Sequence, residues 1–335
     1  MKAVVIERQG DVDGLVYRDW PDPTPADDQV VLDVKAVGLN HLDIFVRRGM
    51  PGYPVQTPFI SGGDIAGTIA ACGRAVTGWA VGDRVAVNPL TPQGMMGEAI
   101  PGGMCEQVAV PASHVIGLPD GLSFVEAACI PINYGTARRM LRAIGDLQAG
   151  ELVLNLGASG GVGIAVLQIA KLIGATVIAV TSSAEKAAFL TELGADHVIN
   201  TQAQEFSAEA WRISGRQGVD MVINHVGGDS WVPSLRCLRK RGRLVTCGAT
   251  AGFDPRTDIR YIWVRELQIL GSDGYSHDDI ATALGWAGAG RLQPRLHAVL
   301  PFSAAATAHT LLESRQVSGK IVLVPEGEPC VGGGP

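Results

Sequence analysis

Two patterns of hydrophobic and polar positions divide this chain. Across roughly the first 120 residues, short apolar runs alternate with polar positions and are broken by Gly and Pro. Val30-Val-Leu-Asp-Val-Lys-Ala-Val37, Asp64-Ile-Ala-Gly-Thr-Ile-Ala70 and Asp83-Arg-Val-Ala-Val87 are examples, and they predict a compact, mainly β domain. Leu122 to Leu141 carries helical spacing, interrupted at Pro131. From Glu151 onward, strand-like runs alternate with helical stretches. Strands are predicted at 152–156, 176–180, 196–199, 219–224, 243–247 and 267–271. Strands alternating with helices in this way make a doubly wound parallel sheet, an α/β fold. The last segment adds a helical stretch, Ala304–Glu313, and a strand-like run, Lys320–Val324. It is expected to return to the first domain, so that 1–122 and 274–335 form one domain and 123–273 the other. The cleft between two domains joined in this way is the natural site.

The most specific local pattern is Asn155-Leu-Gly-Ala-Ser-Gly-Gly-Val-Gly163. It follows the strand-like run Glu151–Leu156, opens the helix-like run Ile164–Lys171, and is succeeded by a second strand-like run, Ala175–Val180. Strand, glycine turn, helix and strand together form the first βαβ unit of a dinucleotide-binding sheet. Gly160 and Gly161 are expected to let the backbone turn tightly and approach a pyrophosphate, and Gly163 to let the helix sit close to its strand. The helix start offers unpaired N–H groups and a positive dipole end to the phosphates. The fingerprint departs from G-x-G-x-x-G at its first position, Ala158, a residue small enough for the turn. Ala158, Ser159, Gly160, Gly161, Val162 and Gly163 are therefore the expected phosphate cradle.

The end of the second strand selects the cofactor. An Asp or Glu there would bond the ribose 2′-hydroxyl of NAD. This chain has Thr181-Ser182-Ser183-Ala-Glu-Lys186 instead. Two hydroxyls and a lysine accept a 2′-phosphate, so NADPH is the expected cofactor. Ser182 or Ser183 is also a natural helix N-cap, and one residue can do both. Glu185 falls past the strand end, where a helix start favours an acid.

Composition narrows the remaining classes. The net charge of −6 argues against nucleic acid as the main partner. The one basic cluster, Arg236, Arg239, Lys240, Arg241 and Arg243, is read as cations near a helix C-terminus. No apolar run approaches the roughly 20 residues that span a bilayer, so no membrane partner is expected. The start, Met1–Ile6, is too short for a signal-peptide core. The six cysteines are scattered, without a C-x-x-C, which suggests free thiols in a reducing cytoplasm.

Taken together, the motifs resemble the medium-chain dehydrogenase/reductase superfamily over about residues 1 to 325. The carriers are Gly38-Leu-Asn-His-Leu-Asp43, Ser61-Gly-Gly-Asp-Ile-Ala-Gly67, Val81-Gly-Asp-Arg-Val85, Gly135-Thr-Ala137 and the Ala158–Gly163 turn. Gly194-Ala-Asp-His-Val-Ile199, Val219-Asp-Met-Val-Ile-Asn224 and Ser318-Gly-Lys-Ile-Val322 continue the series. The resemblance implies a GroES-like, mainly β catalytic domain, a Rossmann domain, hydride transfer with a nicotinamide, and a homodimer or tetramer. It also implies cofactor contacts at Thr136, Val226, Cys247, Gly248 and Ser272, with Lys320 either reaching the cleft or lying on a surface strand.

Zinc-dependent members have Cys where this chain has Asn40 and Gly-His-Glu where it has Gly62-Gly63-Asp64. Their third ligand falls close to Ile132-Asn133. A catalytic zinc needs about three N or S ligands, and a structural zinc in the family uses four clustered cysteines where Asn88–Glu106 has only Cys105. Neither metal site is expected. Without a Lewis acid, alcohol oxidation lacks a partner for the alkoxide. Reduction of a conjugated double bond or a quinone needs only hydrogen bonds to the developing oxyanion. The resemblance is therefore to the zinc-free quinone oxidoreductase and enoyl reductase branches, acting on a small-molecule carbonyl, enone or quinone. The alternatives are a metal-free alcohol dehydrogenase or ketoreductase, and a non-catalytic NADPH-binding protein.

Asn40 is expected either to touch substrate or nicotinamide ribose or to serve as a turn residue. His41 is a candidate acid or a surface residue. The tyrosine that quinone reductases commonly place at the position of Phe45 is missing here, but enoyl-thioester reductases carry one a short loop after the matching Gly, so Tyr53 is either a proton donor or an apolar lid residue of a Pro-rich loop. Asp43 and Asp64 are expected to pair with Arg47, Arg48 or Arg84.

Overall fold

The computed structural model describes residues 1–49 and 55–330. Two compact units emerge, Met1–Ile132 with the segment from Ile280 onward, and Asn133–Asp279. The stretch 123–132 thus belongs to the first unit.

The second unit is built on a six-stranded sheet with every neighbouring pair parallel. Its strands are Leu152–Asn155, Thr176–Thr181, His197–Asn200, Val219–Ile223, Leu238–Thr246 and Gln268–Gly271. In space they run third, second, first, fourth, fifth, sixth. This is the Rossmann order, in which the chain reverses its direction of growth between the first and fourth strands and ligands bind outside their carboxyl ends. Val153, Leu154, Val177, Ile178, Met221, Val222, Leu244 and Val245 are fully buried, as strands covered on both faces require. Helix Gly161–Ile173 buries Ile164, Ala165, Val166, Leu167, Ile169 and Ala170 and ends at Gly174, in the left-handed region at φ 93°.

The fifth strand starts at Leu238, earlier than the sequence pattern suggested, and this corrects the reading of the basic cluster. Only Arg236 stands in the last turn of a helix, Trp231–Cys237. The others lie on the strand and pair with acids: Arg239 with Asp220, Lys240 and Arg241 with Glu266, Arg243 with Glu151. Tertiary ion pairing, not the helix dipole, accounts for these charges.

The first unit is mainly β. Gln29–Gly38 is its central strand and pairs with Asp64–Cys72, Gln107–Pro111 and Lys320–Val324. The C-terminal strand Lys320–Val324 is buried at every position, so the returning segment is part of this core. Two short helices follow the sheet. Phe124–Ala127 begins with a capping box made by Ser123 and Glu126. Pro131 opens the next helix, Pro131–Arg138, where a missing N–H costs nothing. The spacing break at Pro131 is therefore a helix start. Among the described residues, no helix is long and apolar enough to cross a membrane.

The turn before helix Gly161–Ile173 depends on two glycines. Gly157 takes the left-handed conformation, φ 62°. Gly160, extended at φ −82°, closes the turn by donating its N–H to the Gly157 carbonyl at 3.1 Å. Gly163 packs as expected: a Cβ there would press on the Gly157 carbonyl oxygen and stand 2.6 Å from Ala158 Cα. Gly163→Ala should cost about 1–3 kcal/mol, the usual range for forcing a methyl group into a packed site. Urea unfolding measures it, and a variant as stable as wild type would contradict the close packing.

Candidate functional site

The second unit gathers its polar chemistry at the carboxyl ends of its strands. Asn155 closes the first strand and donates through Nδ2 to the Gly163 carbonyl at 2.8 Å. It thereby ties the strand end to the first turn of the following helix. That helix begins at Gly161 without a side-chain cap, so its first N–H groups are open to an anion. Ala158 is fully buried and Ser159 nearly so. Ser183 caps helix Ala184–Glu192 by accepting the Lys186 N–H at 3.2 Å, while Ser182 is exposed. Burial holds the half-buried Lys186 ammonium below its ordinary pKa. Past the fourth strand, Asn224 is fully buried. Its Oδ1 accepts the N–H groups of Val226 and Gly227, each at 2.9 Å, and its Nδ2 donates to Ser230 and Ser234. Cys247 and Gly248 follow the fifth strand. Burial pushes the Cys247 thiol up to about 12, so it stays protonated and unreactive at neutral pH.

Three atoms on this edge test whether a dinucleotide fits. Asn155 Oδ1, Thr181 Oγ1 and Ser272 Oγ are sealed from solvent without a hydrogen-bond partner. They stand at the ends of the first and second strands and just past the sixth. Buried polar atoms are nearly always paired. Orphans at the carboxyl edge of a Rossmann sheet match a polar ligand that binds there. The resemblance points to Ser272, whereas Asn155 and Thr181 stand at the edges of the two sequence motifs without a role of their own.

The first unit holds a buried polar cluster around Asn40, Asp43, Asp64 and Lys320. Lys320 Nζ lies 2.6 Å from Asp64 Oδ2 and 2.6 Å from Asn40 Oδ1. Asn40 Nδ2 donates to Asp64 Oδ2 at 2.9 Å and to the Gly38 carbonyl at 3.2 Å. Asp64 Oδ1 accepts the Ile132 N–H at 2.7 Å, inside the first turn of helix Pro131–Arg138. Asp43 accepts the N–H groups of Asn40 at 2.8 Å and Gly62 at 2.9 Å. Burial pushes the Asp43 carboxyl up to about 7, opposed by those backbone donors.

These contacts correct the expected arginine pairs. Asp64 pairs with Lys320, and Asp43 is held by backbone. Arg47 and Arg48 both reach Glu313, and Arg84 donates to the Leu122 carbonyl. Asn40 uses both amide hydrogens inside the fold and is the N-cap residue of helix His41–Arg48. His41 is exposed. Desolvation, then the charges of Arg315 and Lys320, lower its pKa. Tyr53 lies outside the described residues.

The positions where zinc-dependent members carry ligands are filled differently. A Cβ on Gly63 would stand 3.1 Å from both Ile132 Cδ1 and the Met96 carbonyl oxygen, leaving little room for a larger side chain. Burial pushes the Cys105 thiol up to about 12. Among the described residues, no three His, Cys, Asp or Glu side chains are grouped to hold a metal ion.

Residues 26–120 match the alcohol dehydrogenase GroES-like domain, and residues 161–289 match the zinc-binding dehydrogenase domain. Acryloyl-coenzyme A reductase of Sulfurisphaera tokodaii is 30% identical over 97% of this chain and 100% of its own length. The chain belongs to the medium-chain dehydrogenase/reductase superfamily. Within this superfamily, quinone oxidoreductase of Sus scrofa is 31% identical over 90% of this chain and 91% of its own. A solved NAD-dependent alcohol dehydrogenase superposes with a TM-score of 0.92 at 35% identity, covering 97% of this chain and 99% of that one. As in other medium-chain dehydrogenases/reductases, a GroES-like domain is joined to a parallel, Rossmann-like sheet.

Lys320→Met would leave Asp64 buried without its cation, and breaking such a pair costs about 3–5 kcal/mol. Urea unfolding should show that loss, and adding Asp64→Asn should recover part of it. A single variant within about 0.5 kcal/mol of wild type would contradict the buried pair.

Proposed function

We propose that this chain is a zinc-independent, NADPH-dependent reductase of a conjugated carbonyl compound or a quinone. The observation that carries this reading is the Asn40–Asp64–Lys320 corner. Where zinc-dependent members place a thiolate, this chain has Asn40, whose Oδ1 is 2.6 Å from an ammonium group supplied by its own sequence. A divalent cation beside that ammonium would be repelled, and crowding at Gly63 disfavours the missing histidine. Relatives named as an acryloyl-coenzyme A reductase and a quinone oxidoreductase support the same class of reaction.

When bound, NADPH supplies the hydride. The N–H groups of the turn from Ala158 to Gly163 and the start of helix Gly161–Ile173 would hold its diphosphate. Ser182, Ser183 and Lys186 would hold the 2′-phosphate, an anion that a carboxylate at the strand end would repel. Thr136, Val226, Cys247, Gly248 and Ser272 are the proposed contacts on the nicotinamide half. Lys320 is committed to Asp64 and Asn40, so its contribution is to hold Asn40 in place. Tyr53 is the proposed proton donor.

The chain is also proposed to act as a homodimer. Gln268–Gly271 is an edge strand, and the neighbouring segment exposes Ile259, Trp263 and Val264. Pairing two such edges removes unpaired backbone groups and covers apolar side chains. Free thiols at Cys105, Cys129 and Cys237, all buried, agree with the proposed cytoplasmic location.

The test is coenzyme oxidation by chelator-treated protein against a panel of enones, quinones and ketones. We expect turnover with an enone or quinone, unaffected by the chelator, and NADPH bound at least about tenfold tighter than NADH. Lys186→Ala should weaken NADPH by about 1.5–3 kcal/mol, the worth of a charged hydrogen bond, and NADH far less. Chelator-sensitive oxidation of alcohols, or equal losses for both coenzymes, would overturn the reading.

A further inference from the structure

Asn133 sits in the first turn of helix Pro131–Arg138, and its residue is 4% exposed. Its amide lies directly over the start of helix Gly161–Ile173. A Cβ added to Gly161 would collide with Asn133 Nδ2 and stand 2.8 Å from Asn133 Cγ. The Asn133 amide thus fills the space that a side chain at Gly161 would take. Yet neither amide atom of Asn133 makes a hydrogen bond among the described residues. Its amide is not wholly sealed from solvent, so a ligand can reach it. A polar amide, almost entirely buried and unpaired, is unfavourable unless a partner arrives.

The surroundings specify that partner's chemistry. Nδ2 is the amide atom nearest Gly161, and it is a donor only. It stands beside the uncapped N–H groups of a thirteen-residue helix, whose dipole end is positive. Donors gathered beside a helix N-terminus suit an anion without a donor of its own. In a dinucleotide that anion is the diphosphate.

We propose that Asn133 is a coenzyme-binding residue of this chain, its amide donating to the diphosphate at the start of helix Gly161–Ile173. The proposal rests on the dinucleotide reading given above and adds a residue that the glycine fingerprint does not contain. The diphosphate is common to NADPH and NADH, so Asn133 contributes equally to both and takes no part in the choice between them. That separates it from Lys186, which acts on the 2′-phosphate alone.

Calorimetric titration of the full chain with NADPH, NADH and 2′-AMP tests this. The last ligand has the 2′-phosphate but no diphosphate. Asn133→Ala should weaken NADPH and NADH alike, by about tenfold or more, and leave 2′-AMP unchanged. Asn133→Asp, which keeps the size but sets a carboxylate against the diphosphate, should weaken both coenzymes further than Asn133→Ala does. Unchanged 2′-AMP binding also reports that each variant is folded. Coenzyme affinities within twofold of wild type in both variants would overturn the proposal and leave the dinucleotide reading standing. Wild-type protein that binds neither coenzyme would overturn both.

Discussion

The placement of the glycine turn depends on how closely helix Gly161–Ile173 lies to the chain that precedes it. That contact exists because Gly163 has no side chain to hold it away from Gly157 and Ala158. Asn155 locks it by bonding the Gly163 carbonyl from the end of the first strand. The helix start is then fixed at the carboxyl edge of the sheet, where the first and fourth strands lie side by side. The unpaired polar atoms of Asn155, Thr181 and Ser272 lie along that same edge. One close packing contact thus aligns the turn, the helix dipole and the polar strand ends on a single face.

The first unit solves a different problem. It buries two carboxylates and one ammonium, and the cost is offset only by a complete set of partners. Lys320 reaches Asp64 and Asn40, Asp64 also takes a helix N–H, and Asp43 takes two more from backbone. Asn40 thereby becomes a structural link between a helix start, a strand start and the returning C-terminal strand. Any donor to a developing oxyanion has to come from elsewhere than its amide.

The six parallel strands were legible because buried strands and amphipathic helices leave different periods in the sequence. The glycine turn was legible because Gly163 has to let the helix pack against the chain before it. Pairings were harder to read. The expected arginine partner of Asp64 gave way to Lys320, 256 residues away in sequence, and that of Asp43 to the backbone N–H groups of Asn40 and Gly62, and no local pattern encodes a contact that only the returning strand creates. Basic residues 239 to 243 read as a helix end because cations gather there, whereas a strand with acids beside it satisfies them equally well. Asn133 stood in the zinc comparison as a missing thiol, and its position over Gly161 became visible only in three dimensions.

The carboxyl edge of the six-stranded sheet is the proposed dinucleotide site. Amide hydrogen exchange with and without saturating NADPH tests it most directly. Slowed exchange is expected at the 157–163 turn, at 181–186, at 225–228 and around 247–250 and 272, with the opposite edge of the sheet unchanged. Protection confined to other segments, or none at the 157–163 turn, would contradict it.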